Sequence, residues 1–499
     1  MDRPTLVTPG CAWPLHDGAA TRRIEQTAAA SLPAHTLMQR AGLAVARLAV
    51  AVAPHARRIW IACGPGNNGG DGLEAATHLQ AWGWQPVVTC LPATGPLPED
   101  AAASRARAQA AGVRLADAPP ADADLVIDAL FGIGAGRGRE GQAAAWRDLM
   151  RDLATTKGAV VLSVDLPSGL DADTGTGQAV RATHTLSLLT IKPGLFTAQG
   201  RDAAGQVWWD DLGVTTGPSS GTATAMLSAA PSRSPRLHDS HKGSWGDVAV
   251  VGGATGMTGA AVLAARAALR AGAGRVFVGL LQDPSAPPVP FDPGHPELML
   301  RDPGGLDYTA LHVACGCGGG DAVHPLLPRV ISRARSLVLD ADALNALARD
   351  VSLQTLLRAR CDRDTPAPRT RADAAGATTV LTPHPLEAAR LLETTAAQIQ
   401  ADRLAAARAL SERWGGGVVV VLKGSGTVIA QAGRAAWINP TGNARLATAG
   451  TGDVLAGMIA ARLAQGEEAF TAAAAAVYEH GLAAQAWPAD QPFTASTMA

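Results

Sequence analysis

Two series of short apolar runs, each run set apart from the next by an alanine-rich stretch, limit more than any other feature what this chain can become. The first series lies at 58–63, 86–91, 124–130, 159–165 and 185–191, and the second at 247–251, 275–280, 336–339, 378–381 and 418–422. Strands that are apolar throughout, joined by helices, are the pattern of parallel sheets covered on both faces. Between the series lies 217–235, rich in Ser, Thr, Pro and Ala, which reads as a linker. A chain of 499 residues also exceeds what one core serves. Two α/β units are therefore expected, 1–220 and 232–499. A second aperiodic stretch, 358–376, reads as an exposed loop.

Composition excludes several classes of function. With 47% hydrophobic and 17% charged residues the chain is an ordinary globular one. A net charge of -1 supplies no broad positive field for a phosphate backbone, so no nucleic-acid partner is expected. No apolar run reaches the roughly 18–20 residues that cross a bilayer, and the first residues lack a signal-peptide core, so no membrane association is expected. The six cysteines are scattered, without a CxxC pair, as in a reduced cytoplasmic protein. Of 42 basic residues only Lys157, Lys192, Lys242 and Lys423 are lysines, and three of these sit in Gly- or Pro-containing motifs where a compact ammonium group is selected.

In the first unit the run ending at Cys63 enters Gly64-Pro65-Gly66-Asn67-Asn68-Gly69-Gly70-Asp71-Gly72, and a helix is expected from about Leu73. A glycine loop before a helix lets backbone approach a phosphate-bearing ligand. Gly64, Gly66 and Gly69 fit GxGxxG, but the next run ends in Thr, Cys and Leu without the ribose-binding acid of a dehydrogenase. Two further runs end in acids, Asp128 and Asp165; each alone could cap a helix, and together they converge on the glycine loop.

In the second unit a glycine loop, 252–259, again precedes a helix, which ends at Arg270-Ala271-Gly272 with a cation and a C-terminal glycine. Leu339-Asp340-Ala341-Asp342, Thr382-Pro383-His384-Pro385 and Lys423-Gly424-Ser425-Gly426-Thr427 follow, and last Ala449-Gly450-Thr451-Gly452-Asp453. Amides at a helix start can surround a transferred phosphoryl group while the adjoining carboxylate takes a proton from an attacking hydroxyl. An acidic first turn could equally serve as a cap, and His384 as an ordinary loop histidine.

Taken in order, Leu37-Met38-Gln39-Arg40-Ala41-Gly42, Asn67 to Gly72, Asp128-Ala129-Leu130-Phe131-Gly132, Asp165-Leu166-Pro167-Ser168-Gly169 and Lys192-Pro193-Gly194 resemble the NAD(P)H-hydrate epimerases over residues 10–215. The second set resembles the ribokinase-like NAD(P)H-hydrate dehydratases over 236–499. The resemblance implies a Rossmann-like three-layer domain followed by a ribokinase-like α/β domain.

For the first domain it implies a potassium ion held by Asn68, Asp128 and Ser168. Substrate contacts are implied for Asn67, Asn68, Gly69, Gly70, Asp71, Asp165 and the loop Gly132-Ile133-Gly134-Ala135-Gly136-Arg137-Gly138. Asp165 is the candidate acid/base, and Lys192 either assists it or pairs with a carboxylate structurally. For the second domain the resemblance places Ala260, Gly318, His384 and Asp453 around the hydrated cofactor and Lys423, Gly424, Ser425, Gly426, Thr427 and Gly452 on the adenine nucleotide. In the mechanism the resemblance implies, Asp453 helps activate the ring hydroxyl, ADP phosphorylates it, magnesium neutralises the diphosphate, and loss of phosphate restores NAD(P)H, leaving AMP.

The partners expected are NAD(P)H hydrates, ADP and further copies of the chain in a homo-oligomer. Departures from the family pattern stand at Leu386, at Asn443-Ala444-Arg445-Leu446, and at Cys315 and Cys317 in a glycine-proline loop. A ribokinase-class vitamin-precursor kinase and a nucleotide-responsive binding protein are the rival readings.

Overall fold

Valine, isoleucine and leucine dominate the strands Ile59–Cys63, Leu125–Ala129 and Val160–Val164, which are buried along nearly their whole length because helices cover both faces of their sheet. A computed structural model describes residues 4–134, 140–214, 223–232, 236–283, 285, 289–362 and 378–499. The chain divides into two units, Met1–Leu227 and Ser228–Ala499.

The first unit carries an eight-stranded sheet. From Ile59–Cys63 the chain moves outward to Pro86–Cys90 and Arg114–Ala116, then returns to the other side of Ile59–Cys63 with Leu125–Ala129, Val160–Val164, His184–Leu188 and Gln206–Asp210. All of these pair in parallel; Thr5–Leu6 adds an antiparallel edge. The direction reverses between Ile59–Cys63 and Leu125–Ala129, and a crevice at the carboxyl ends of such strands is where open α/β sheets bind ligands.

The second unit repeats this plan with Asp247–Gly252 as its first strand, Arg275–Leu280 on one side and His312–Cys315 on the other. Ser336–Leu339, Thr379–Leu381 and Val418–Leu422 continue in parallel, and Val428–Gln431 and Ala436–Ile438 follow in antiparallel pairing. Its reversal falls between Asp247–Gly252 and His312–Cys315. The alanine-rich composition has a packing reason: the helices Thr258–Arg270 and Thr451–Ala464 approach so closely that a Cβ on Gly457 would lie 1.9 Å from the Ala264 carbonyl oxygen.

Three expectations change. The helix expected from Leu73 begins at Asn67, so Asn67 to Gly72 form its first turns. These glycines serve close approach: a Cβ on Gly69 would lie 1.9 Å from the Gly64 carbonyl oxygen, and one on Gly72 2.7 Å from the Ala129 Cβ. The supposed linker is not featureless, because Ala225–Leu227 pairs antiparallel with Trp13–Leu15 and buries Ala225 and Leu227; three residues are too few to register as a periodic run. Finally, the run His312–Cys315 is a buried strand, obscured by a histidine and a cysteine. The loop expected over 358–376 lies outside the described residues from 363 onward.

Candidate active sites

In the first unit a cavity of about 880 Å³ opens at the reversal point, lined by the start of the helix Asn67–Ala81, by Leu130 to Gly134, and by Asp165 and Lys192. Asp165 adopts a left-handed backbone, φ 66°, one residue past the strand Val160–Val164. Its Oδ1 accepts from the buried Lys192 Nζ and from Leu188 N at 3.3 Å. Lys192 Nζ also donates to Leu188 O at 2.8 Å and Thr190 O at 3.0 Å, which fixes all three of its N–H bonds. A Cβ on Gly132 would be 3.1 Å from both Asp165 Oδ2 and Asn68 Oδ1, so these three positions converge, with Oδ2 the carboxylate oxygen left facing the cavity.

Asp128 is fully buried and caps no helix. It accepts from Ser163 Oγ at 2.8 Å, Ser168 N at 2.9 Å and Ser168 Oγ at 2.5 Å. Burial raises its pKa and these neutral donors only partly offset the effect. Asp71 is pushed well above the carboxylate range by burial, then by the charge of Asp165. The Asn68 amide nitrogen is buried and has no partner among the described residues. Ala135, Gly136, Arg137 and Gly138 lie outside the described residues. Sequence reasoning missed Thr21, Glu25 and His35, which line the same cavity from the first helices; His35 Nδ1 lies 2.5 Å from Asp100 Oδ1. No motif marked them.

In the second unit the segments that follow successive strands bring Cys317, Asp340, Thr382 and Lys423 together, and the first turn of the helix Thr451–Ala464 adds Asp453. Lys423 Nζ donates to Asp340 Oδ1 at 2.6 Å, and Thr382 Oγ1 donates to the same oxygen at 2.8 Å. The ligand atoms of Cys317, Asp340 and Asp453 lie within 4.8 Å of one another. Gly450 starts the helix Thr451–Ala464 in a left-handed conformation, with Asp453 in its first turn and no side-chain capping hydrogen bond at Gly450 among the described residues. Burial, then the Asp340 charge, raise the Asp453 carboxyl to about 7; a Cys317 hydrogen bond and Lys423 pull the other way. A Cβ on Gly452 would sit 3.2 Å from Lys423 Nζ, which places the turn against the lysine.

Gly318 adjoins Ala260, since a Cβ on the glycine would meet the Ala260 Cβ at 2.8 Å. His384 is no loose loop histidine: its Nδ1 accepts from Leu386 N at 3.1 Å and Glu387 N at 3.3 Å, capping the helix Pro385–Leu392. Gly424 and Gly426 both have positive φ, and Thr427 Oγ1 closes their turn on Gly424 O at 3.1 Å. Arg403 went unnoticed in the sequence. It is buried, its guanidinium holds Leu422 O at 3.2 Å and Lys423 O at 3.1 Å, and burial lowers its pKa to about 10.

Residues 34–194 match the family profile described as YjeF-related protein N-terminus, and residues 248–499 the profile described as NAD(P)H-hydrate dehydratase. The chain is 35% identical to the bifunctional NAD(P)H-hydrate repair enzyme Nnr of Escherichia coli (strain K12), over 97% of this chain and 91% of that protein. The chain belongs to the bifunctional NAD(P)H-hydrate repair enzyme family. Within the family's second half it is 45% identical to the ADP-dependent (S)-NAD(P)H-hydrate dehydratase of Neisseria meningitidis serogroup B, over 50% of this chain and 79% of that one. Among solved structures, the ADP/ATP-dependent NAD(P)H-hydrate dehydratase of Bacillus subtilis co-crystallized with ATP/Mg2+ is 30% identical, covering 53% of this chain and 90% of that chain at a TM-score of 0.43. No helix among the described residues is long and apolar enough to cross a membrane.

Proposed function

We propose that the first unit interconverts the R and S epimers of hydrated NADH and NADPH, and that the second dehydrates the S epimer at the expense of ADP. The observation that carries this reading is the pairing, within one family member, of two switch-point crevices that hold different acid groups: Asp165 with Lys192, and Asp453 with Asp340 and Lys423.

In the first crevice Asp165 exchanges a proton with the hydrated ring through Oδ2, while Lys192 holds Oδ1 and keeps the carboxylate aimed. Asn67 to Asp71 and Gly132 to Gly138 would contact the dinucleotide. The donor set around Asp128 fits a potassium ion, because among the described residues a fully buried carboxylate is met there by neutral donors and Asn68 and Ser168 carry further oxygen atoms. Asn68, Asp128 and Ser168 would hold it, and when bound it would supply positive charge beside the buried Asp128 carboxylate.

In the second crevice Asp453 takes the proton of the ring hydroxyl. The oxygen attacks the terminal phosphorus of ADP, the bond to the bridging oxygen breaks, and AMP leaves. The ring carbon then loses phosphate, a neighbouring carbon loses a proton, and the double bond of NAD(P)H returns. The Gly450 to Gly452 amides surround the transferred group, the Lys423 to Thr427 turn holds the nucleotide, and Ala260, Gly318 and His384 border the ring. Magnesium takes hard oxygen donors; Asp340 would hold it with the diphosphate, where the Cys317 thiol does not fit.

Stoichiometry tests the reading. Dehydration should release one AMP and one phosphate per NADH formed from the S hydrate. A stable phosphorylated alcohol as product, with no NADH, would assign a vitamin-precursor kinase instead.

A further inference from the structure

One carboxyl in the cavity of the first unit, that of Glu25, has no part in the chemistry assigned to Asp165 and Lys192. It lies on the helix Gly18–Ala29, one turn after Thr21, so the two side chains share a face. Thr21 Oγ1 and Thr190 Oγ1 are hydrogen-bonded at 2.7 Å, and Lys192 Nζ donates to Thr190 O at 3.0 Å. The helix is thereby docked against the turn that carries Lys192, and Glu25 lines the same cavity as Asp165 and Lys192.

The two carboxyls are not equivalent. Asp165 is held by the Lys192 ammonium, whereas Glu25 forms no hydrogen bond or ion pair among the described residues. Burial, then the charges of Asp165 and Asp100, raise the Glu25 carboxyl above its ordinary value, while Lys192 and Arg22 pull it down. Arg22 is itself engaged elsewhere, donating from Nη2 to Ile133 O at 2.8 Å. Asp71, on the helix Asn67–Ala81, feels the charges of both Asp165 and Glu25. Three carboxyls thus crowd around one buried ammonium, which disfavours ionising all of them together. Where two carboxyls share a cavity and one alone is matched with a cation, their surroundings divide the roles of base and acid between them.

We propose that Glu25 is a second catalytic residue of the first unit, giving a proton to the hydroxyl that leaves one face of the hydrated ring while Asp165 takes a proton from the water that returns on the other. The proposal rests on the reading that this unit epimerises NAD(P)H hydrates. Glu25 protonates the hydroxyl oxygen, the carbon–oxygen bond breaks with its electron pair leaving on water, and the lone pair of the adjacent ring nitrogen forms the carbon–nitrogen double bond of an iminium ion. Water then bonds to the same carbon from the opposite face, the double-bond pair returns to nitrogen, and Asp165 accepts the proton released. One proton has passed from Glu25 to Asp165, and exchange with solvent in the cavity resets both.

Epimerisation by the full chain without ADP, starting from the S hydrate of NADH and resolving the epimers by chromatography, tests this. Glu25→Gln should lower kcat by at least about tenfold with KM changed less than about threefold, the mark of a group that acts in the transition state. Wild-type kcat should fall as pH rises and Glu25 ionises, and that fall should be absent from the residual activity of the variant. Glu25→Asp, which keeps an acid, should be clearly less impaired than Glu25→Gln, and this comparison decides the matter if the glutamine variant also melts lower. Both variants should dehydrate the S hydrate with ADP at the wild-type rate, because Glu25 lies in the other unit. A smaller loss of kcat, a loss confined to KM, an alkaline fall that survives in Glu25→Gln, or equal impairment of the two variants would overturn the proposal while leaving the epimerase reading intact. Absence of epimerisation by the wild-type chain would overturn both.

Discussion

Replacing Asp453 by asparagine should abolish dehydration and, at the same time, stabilise the second unit in a pH-dependent way. The carboxyl sits at about 7 instead of its ordinary 3.8, so the folded state favours the neutral form. Its contribution to stability is complete below the ordinary carboxylate range and is lost as pH rises through about 7. At about 1.4 kcal/mol per pH unit the full gap corresponds to about 4 kcal/mol, and since Asp453 is only partly buried we take about 2 kcal/mol as the gain from a neutral isostere at pH 8. That is a rise of roughly 4–8 °C in the melting temperature of the unit. At pH 5, above the ordinary carboxylate range but below 7, the gain should fall to less than half of its value at pH 8. The assay is thermal unfolding of wild-type and Asp453→Asn chains at both pH values, alongside NADH recovery from the S hydrate. Dehydration should fall by at least about 100-fold, and in the wild type it should rise with pH about a midpoint near 7. Equal shifts in melting temperature at pH 5 and pH 8, or wild-type dehydration by the variant, would refute the reasoning.

Lys192→Met should cost about 3–5 kcal/mol in the first unit, because it leaves the Asp165 carboxylate buried without its cation; denaturant unfolding measures this, and a loss below 1 kcal/mol would contradict it. Gly69→Ala should destabilise by about 3 kcal/mol, since the added methyl would run into the Gly64 carbonyl and backbone cannot yield as a side chain does. A fragment ending at Leu227 should melt higher than one ending at residue 220, which lacks the strand that pairs with Trp13–Leu15; equal melting would show that this pairing contributes nothing.

Much of the fold was legible because the apolar runs were long enough to reveal their period. Thus 275–280 and 418–422 coincide with the strands Arg275–Leu280 and Val418–Leu422. Segments set by tertiary contact were not legible. Asn67 to Gly72 look like a loop by glycine content alone, yet they are helical because helix and strand can approach only where there is no side chain. Asp165 stood out as an acid directly after an apolar run, and Asp453 as the acid of a glycine-rich helix start. The partners that hold the sites were not found. Nothing in the sequence around Arg403 announces that its guanidinium braces the backbone at Lys423, nor around Arg390 that it meets Asn345. The partner of Lys192, which the sequence left open, is Asp165, on which the lysine is buried.

One chain joins two chemistries, the first supplying the epimer that the second consumes. The most direct measurement follows recovery of nicotinamide absorbance from an equilibrated mixture of the two NADH-hydrate epimers, with and without ADP and magnesium, for the wild-type chain and for Asp165→Ala. The wild type should convert essentially all of the hydrate when ADP is present and none when it is absent. The variant should stop at the S fraction and advance afterwards only at the spontaneous epimerisation rate, until separately prepared wild-type chain inactivated at Asp453 is added. Complete conversion by Asp165→Ala at the wild-type rate would contradict the account.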